Sequence, residues 1–205
     1  MSGLRERKKE KTQEAILESG KRLFVTKGYE KTSMKDIAYD SDIGVGTLYN
    51  YYESKSKLLQ EIFRENLPNL SSQAAEIRQD NSLSLQEKIH DIISLSMTVF
   101  HQFPRSFYRG LFSVMANGTE SSVDVSDKML DIDEQFMSLM AEVLEQEKET
   151  GHLSDSYPVD RLVTLIYSVL AAQIMMYLLD DRVSQEHVLS EIMNQINFLL
   201  ELPRS

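Results

Sequence analysis

Apolar residues recur along this chain every three to four positions, which places them on one face of an α-helix in most segments. The alternation of apolar and polar residues that is typical of strands is not found in the sequence. A first helix is predicted from about Lys8 to Lys27, with Ile16 and Phe24 facing inward and Gly28 as a left-handed stop. The pattern therefore predicts an all-α fold.

Two short helices follow, and a break in the apolar pattern separates them. Thr32 or Ser33 can cap the first of them with a side-chain oxygen. Residues 41–44 interrupt the pattern, and residues 45–52 resume it as the second short helix. Ser54 is placed to cap a fourth helix, which would connect this region to the rest of the chain. The arrangement predicts a three-helix domain of helix-turn-helix type at the N-terminus.

The rest of the chain is predicted to be helical as well. Ser84 and Glu87 form a capping-box pattern, and Gly151 ends a long helix. A helix at about residues 159–179 is apolar nearly all round and reaches the lower length limit of a membrane span. Its flanks carry acids and lack the Lys and Arg bias of spanning helices, so burial on several sides is favoured over a span.

The last helix carries a continuous apolar stripe. Together with the helix before it, it presents more apolar surface than one small domain covers, so we expect the two helices to form a dimer interface. The residues predicted at this interface are Leu170, Ile174, Leu178, Val188, Ile192, Ile196 and Leu199.

Charge is distributed unevenly along the chain. The net charge of −10 taken alone argues against binding to nucleic acid. Residues 1–65, however, carry a net charge of +2, and the remaining 140 residues carry −12. This asymmetry is consistent with a small module that binds phosphates, joined to a larger acidic module. The alternative is chance variation in charge among solvent-exposed helix faces. We predict two domains, a DNA-binding domain at 1–65 and a helical domain for effector binding and dimerisation at 66–205.

The absence of cysteine excludes disulfides, Cys-based zinc sites and thiol nucleophiles. The four histidines show no spacing typical of metal ligands, and no nucleophile, base and orienting group can be assembled from spacing alone. We therefore assign no catalytic residue, metal or cofactor. The N-terminus lacks the apolar run of a signal sequence, so a cytoplasmic protein is expected.

One segment carries a specific motif. From Thr32 the chain reads TSMKDIAYDSDIGVGTLYNYYESKSKLL, and LFVTKGYEKT precedes it. This segment closely resembles the tetracycline-repressor (TetR) family of one-component regulators. The resemblance rests on the KGYEKTS helix stop and cap, DIA on the second helix, GTLYNYY on the third and SK at the start of the fourth. It covers about residues 14 to 62.

The resemblance implies a homodimeric repressor that reads a palindromic DNA operator and responds to a small-molecule effector. Thr47 and Tyr49 would approach bases or their adjoining phosphates, while Tyr51 and Lys55 would contact phosphates. The spacing agrees, because Val45, Leu48 and Tyr52 can bury one face of the recognition helix and leave small residues at its leading edge. The predicted DNA-binding residues are Thr32, Ser33, Lys35, Gly44, Val45, Gly46, Thr47, Tyr49, Asn50, Tyr51 and Lys55.

The chain departs from the family pattern at two positions. Asp42 stands in the turn where Gly is usual, and Gly44 stands where Ser or Thr usually caps the recognition helix. Asp tolerates left-handed backbone, but its charge should weaken DNA binding somewhat. No Arg, Lys or Gln lies between Gly44 and Asn50, so phosphate contacts and DNA shape are expected to supply much of the affinity. The basic residues 5–11 are either a further DNA contact or a solvated terminus.

The middle helices are rich in Phe and Met. Ordinary core packing is one explanation, and an effector pocket, which the family resemblance implies, is the other. Such a pocket would suit an apolar or amphipathic molecule. Its predicted lining is Phe100, Phe103, Phe107, Phe112, Met115, Phe136, Met140, Tyr167 and Met175. Two rival functions stay open: an architectural DNA-binding protein without effector, and a helical small-molecule-binding protein or enzyme that has lost DNA affinity.

Overall fold

The computed structural model of the protein describes residues 3–67, 70–116 and 123–201. No strand occurs within these ranges, so the predicted all-α fold is confirmed. The helices are α1 (Gly3–Thr26), α2 (Met34–Asp40), α3 (Val45–Tyr51), α4 (Lys55–Glu65), α5 (Ser71–Gln79), α6 (Leu85–Met97), α7 (Arg105–Ala116), α8 (Val123–Glu149), α9 (Val159–Leu179) and α10 (Gln185–Glu201), with a 3₁₀ turn at Thr98–His101.

The predicted helix caps are present. Ser33 and Ser84 each accept a hydrogen bond from the backbone N–H three residues on, and in both capping boxes an acid bonds back to the cap. The Oγ of Ser54 accepts from the N–H of Lys57 at 3.1 Å at the start of α4. Gly28 and Gly151, which follow α1 and α8, have φ values of 83° and 78°. This left-handed conformation favours glycine and stops each helix at the position predicted from the sequence.

Two helices differ from the prediction. α1 begins at Gly3 rather than near Lys8, so the basic residues 5–11 are helical. Lys, Arg and Glu are good helix formers, which explains the longer helix. α5 was not predicted, because this short helix buries one residue, Ala74, and shows little apolar pattern.

The chain forms two compact units. The first comprises residues 1–67 and 100–128, so that α7 packs against α1 and α4. Its core includes Phe24, Ile37 and Leu48, each with no exposed surface. The helix after residue 100 is therefore part of the N-terminal unit, whereas the functional boundary at residue 65 stays a prediction.

The second unit comprises residues 68–99 and 129–205, in which α10 packs against α9 and α6. It contains an ion pair, in which Lys88 Nζ donates to Glu147 Oε1 at 2.7 Å with both residues at most 3% exposed. Burial raises the pKa of Glu147, but the bonds from Lys88 and His152 outweigh it and hold that pKa below its ordinary value. Among the described helices, α9 is long and apolar enough to cross a membrane, which is weak support for a span because core helices share that property.

Candidate nucleic-acid interface

α2 and α3 are joined by a tight turn and share a small apolar core. Ile37 and Ala38 of α2 and Leu48 of α3 have no exposed surface, and α2 also packs against α1. Burial of such side chains stabilises the unit by about 1.5–3 kcal/mol for each large one. One face of each short helix is thus fixed, and the opposite face of α3 points to solvent.

The turn between these helices depends on Asp42, which has a φ of 53°. It is the only residue other than glycine with a positive φ in the described chain. Its N–H donates to the Tyr39 carbonyl at 3.2 Å, and the N–H of Ile43 donates to the Ala38 carbonyl at 3.0 Å. The left-handed backbone therefore occurs at the position where glycine was expected, and it costs about 1 kcal/mol for a residue with a Cβ.

The leading edge of α3 is open. Gly44, at the N-cap, makes no side-chain cap bond, and a Cβ placed on Gly46 would meet nothing within 4 Å. Thr47, Tyr49 and Asn50 are exposed. A surface of small residues flanked by a threonine and a tyrosine can approach a nucleic-acid groove closely.

Tyr51 of α3 is less accessible than predicted. It is half-buried and does not project freely, and Val45, which was predicted on the buried face, is also half-buried. Tyr52 lies in the core, as the spacing predicted, and burial raises its pKa to about 12. The solvent-facing part of α3 is therefore narrower than the sequence suggested.

At the start of α2, Ser33 and Lys35 are exposed, but Thr32 is not. Thr32 is 2% exposed, and its hydroxyl bonds to the carbonyls of Gly28 at 2.8 Å and Leu23 at 3.3 Å. Its side chain closes the end of α1, so the prediction that this hydroxyl binds phosphate is wrong. The sequence did not indicate this contact with α1, because a threonine just before α2 is equally compatible with capping of α2.

Acids on α2 are accompanied by cations. Arg22 bonds to Asp40 and lowers the pKa of that carboxyl. The hydroxyl and backbone N–H of Ser33 lower the pKa of Asp36, and Lys27 lies 3.9 Å from the same carboxylate. These contacts offset negative charge beside the helix pair.

Lys55, at the start of α4, contacts Tyr29, which the prediction did not single out. Lys55 Nζ donates to the Tyr29 carbonyl at 2.8 Å and lies 4.1 Å from the centre of the tyrosine ring. Tyr29 is 9% exposed, and burial raises its pKa to about 12. The only sequence signal for Tyr29 was its place within KGYEKTS, which was interpreted as a helix stop.

Residues 16–62 match the family model described as bacterial regulatory proteins, tetR family. This match includes α2, the turn at Asp42 and α3, which together form the helix-turn-helix. Residues 16–62 thus carry the DNA-binding segment typical of the tetR family.

Other comparisons agree with this match. The chain is 28% identical to the HTH-type transcriptional regulator SAR0097 of Staphylococcus aureus over 69% of its own length and 65% of that protein's. The matches to curated relatives span between 29% and 65% of the relatives' own lengths.

Two solved structures share the fold. One is the transcriptional regulator FadR of Bacillus subtilis in complex with stearoyl-CoA, with 14% identity, a TM-score of 0.58 and coverage of 91% of this chain and 97% of that one. The other is a transcriptional regulator of Saccharomonospora viridis in complex with choline, with 16% identity, a TM-score of 0.64 and coverage of 92% and 95%. At these identities, the likeness shows the tetR fold alone.

The residues predicted to line an effector pocket in this chain are divided between the two units. In the first unit, Phe103 and Phe107 are buried and stacked with their ring centres 3.9 Å apart. Phe100 packs against Tyr108 at 4.9 Å between ring centres. Phe112 and Met115 of α7 are half-buried. Phe103 and Phe107 therefore contribute to an aromatic core, and a lining role for this group stays a prediction.

In the second unit, the ring centres of Phe136 and Tyr167 lie 6.5 Å apart, and Met140 has no exposed surface. Met175 is 40% exposed, so it is not part of the buried core, and a lining role for it stays a prediction. Asp133, which was not predicted at this site, is a partly buried acid that hydrogen-bonds to Tyr167. Burial raises the pKa of Asp133, which indicates an apolar setting.

The predicted dimer-interface residues also need correction. Leu170, Leu178, Val188, Ile192 and Ile196 are at most 5% exposed, so these side chains form the core of the second unit rather than an outer surface. Ile174 and Leu199 are half-buried. The large exposed apolar side chains of α9 and α10 are Leu165, Met175, Met176, Leu179 and Phe198. An outer groove between the two helices is lined by Leu165, Val169, Asn194, Gln195, Phe198 and Leu199.

Proposed function

We propose that this tetR-family chain is a cytoplasmic transcriptional repressor, without catalytic activity, that binds a palindromic operator as a homodimer and is released by a small effector. α3 would enter the major groove with Thr47 and Tyr49 against base edges. The main support for this proposal is the exposed edge of α3. Its residues are small or solvent-exposed, whereas Leu48 on the opposite face of the helix is buried.

Phosphate contacts would supply much of the affinity. Ser33 and Lys35 are exposed at the start of α2, and Lys55 begins α4. Tyr51 would add a further contact from the half-buried side of α3. Because the exposed edge of α3 lacks Arg, Lys and Gln, sequence preference would depend on few base contacts, on DNA shape and on the spacing of the two copies.

The effector would be apolar or amphipathic. In the second unit, the buried Phe136 and Met140 support this chemistry, and Asp133 adds one polar group to it. The related folds described with stearoyl-CoA and with choline support the capacity of this architecture for small molecules. An effector must bind the DNA-competent and the released states with different affinity, because a ligand with equal affinity for both shifts nothing.

Dimerisation would use the outer face of α9 and α10 instead of the buried stripe. Phe198 is 64% and Leu179 is 73% exposed, which is unusual for large apolar side chains that stay in contact with water. Phe198→Glu is expected to shift the sedimentation of the protein from dimer to monomer, whereas Glu186→Gln on another face of α10 should not. A dimer that survives Phe198→Glu unchanged would contradict this placement.

Selection of bound duplexes from a random pool tests the proposed function. We expect a palindrome whose half-site centres lie about 10 base pairs apart. Binding without an enriched palindrome would instead favour an architectural DNA-binding protein. Absence of any salt-sensitive DNA binding would favour a helical small-molecule-binding protein or enzyme, because binding through phosphates must weaken with salt.

A further inference from the structure

α7 packs closely against Tyr29. A Cβ placed on Gly110 of α7 would lie 2.7 Å from the Cβ of Tyr29 and 3.1 Å from its Cγ. Atoms this close must separate, and the Cβ of Tyr29 is fixed to the backbone. The ring of Tyr29 also packs against Phe24 at 5.5 Å between ring centres, which restricts its movement away from α7. Glycine at position 110 is therefore what allows α7 to approach the tyrosine.

Tyr29 also contacts Lys55. The carbonyl accepts one N–H of the Lys55 ammonium at 2.8 Å, and the ring centre lies 4.1 Å from the same nitrogen. Both contacts favour a cation, since the carbonyl oxygen and the ring face are electron-rich. An ammonium has three donors, so one bond to the carbonyl leaves donors for a phosphate oxygen. Tyr29 thus fixes where a flexible lysine side chain ends.

We propose that Gly110 and Tyr29 are positioning residues through which α7 sets the place of the Lys55 ammonium and thereby the affinity for DNA. The proposal rests on the proposed function, in which Lys55 contacts a phosphate. α7 also carries Phe107, Phe112 and Met115, which were predicted to line an effector pocket. A displacement of α7 would therefore move Tyr29 and alter the phosphate contact of Lys55. The effector would not need to touch the recognition helix.

The test compares full-length variants on the palindromic duplex recovered by selection, or on random duplex of equal length if no palindrome is recovered. Fluorescence anisotropy is measured over a range of salt concentrations. Lys55→Ala should weaken binding roughly tenfold, because a charged hydrogen bond to phosphate is removed. It should also reduce the slope of log K against log salt by about 0.9 for each phosphate that is no longer neutralised. Gly110→Ala and Tyr29→Leu should each weaken binding several-fold and reduce the same slope. Tyr29→Phe, which retains the ring and the carbonyl, is the matched control and should bind as the wild type does.

The decisive comparison repeats Gly110→Ala and Tyr29→Leu in a Lys55→Ala background, where neither should weaken binding further. If their effects instead multiply with that of Lys55→Ala, they act by loosening the unit, and the positioning role is overturned while the phosphate role stands. If Lys55→Ala alone leaves affinity and salt slope unchanged, the phosphate contact in the proposed function fails as well. If Gly110→Ala does not fold, as judged by circular dichroism, Tyr29→Leu against Tyr29→Phe decides the question.

Discussion

Removal of Lys88 should destabilise the protein severely, because it leaves the carboxylate of Glu147 buried without its ammonium partner. The two groups lie 2.7 Å apart between α6 and α8. His152, whose Nδ1 lies 2.9 Å from the other carboxylate oxygen, is mostly exposed and cannot replace the buried cation fully. Breaking a buried pair from one side costs about 3–5 kcal/mol. In a chain of this size, Tm falls by roughly 2–4 °C per kcal/mol, so Lys88→Met should lower Tm by roughly 6–20 °C.

Thermal unfolding followed by circular dichroism measures the change in Tm, and urea unfolding measures the change in the free energy of unfolding. The double variant Lys88→Met with Glu147→Met removes both buried charges and should recover most of the stability, since apolar replacements of buried pairs are often neutral or stabilising. Arg182→Ala breaks an exposed pair with Asp180 and serves as the control, with an expected change under about 1 kcal/mol. If Lys88→Met costs no more than Arg182→Ala, the inference of an essential buried ion pair is refuted.

Three further predictions concern the helix-turn-helix and the N-terminus. Asp42→Gly should stabilise the protein by about 1 kcal/mol in urea unfolding, because glycine adopts the left-handed turn without strain. Asp42→Asn should increase the affinity for DNA, measured by fluorescence anisotropy, with little gain in stability. Equal affinity of this variant and the wild type would exclude an effect of the Asp42 charge on DNA binding. Ser33→Ala should raise the pKa of Asp36 toward its ordinary value, as followed by NMR titration. Because this pKa is lowered in the fold, Asp36 stabilises the protein above its ordinary pKa and loses that contribution as the pH falls, so the variant should lose less stability on acidification. Deletion of residues 1–8 should reduce the salt slope of DNA binding if the basic helix end contacts DNA, and an unchanged slope would exclude it.

The features that were predicted well from the sequence depend on neighbours a few residues away. Ser33 and Ser84 are caps because a side-chain oxygen reaches a backbone N–H three residues on, and Gly28 and Gly151 stop helices by their own conformational freedom. The left-handed turn at Asp42 was expected from the family resemblance, because glycine is usual at that position.

The features that were not predicted depend on contacts between distant segments. From the sequence, Thr32 is interpreted as a cap of α2. In the structure its hydroxyl bonds instead to carbonyls at the end of α1. Lys88 and Glu147 are far apart in the chain, and each alone is typical of a solvated helix face. In α9, apolar residues occur nearly all round, so the pattern cannot show that Leu170 faces the core while Leu165 faces outward.

The central claim, that two copies dock α3 on one operator, is tested most directly by footprinting the selected duplex while counting the bound chains by sedimentation. We predict two protected half-sites with centres about 10 base pairs apart and two chains per duplex. Thr47→Ala with Tyr49→Ala on the exposed edge of α3 should abolish the preference for that duplex over random DNA. A single protected site bound by one chain, or a preference that survives the double substitution, would contradict the account.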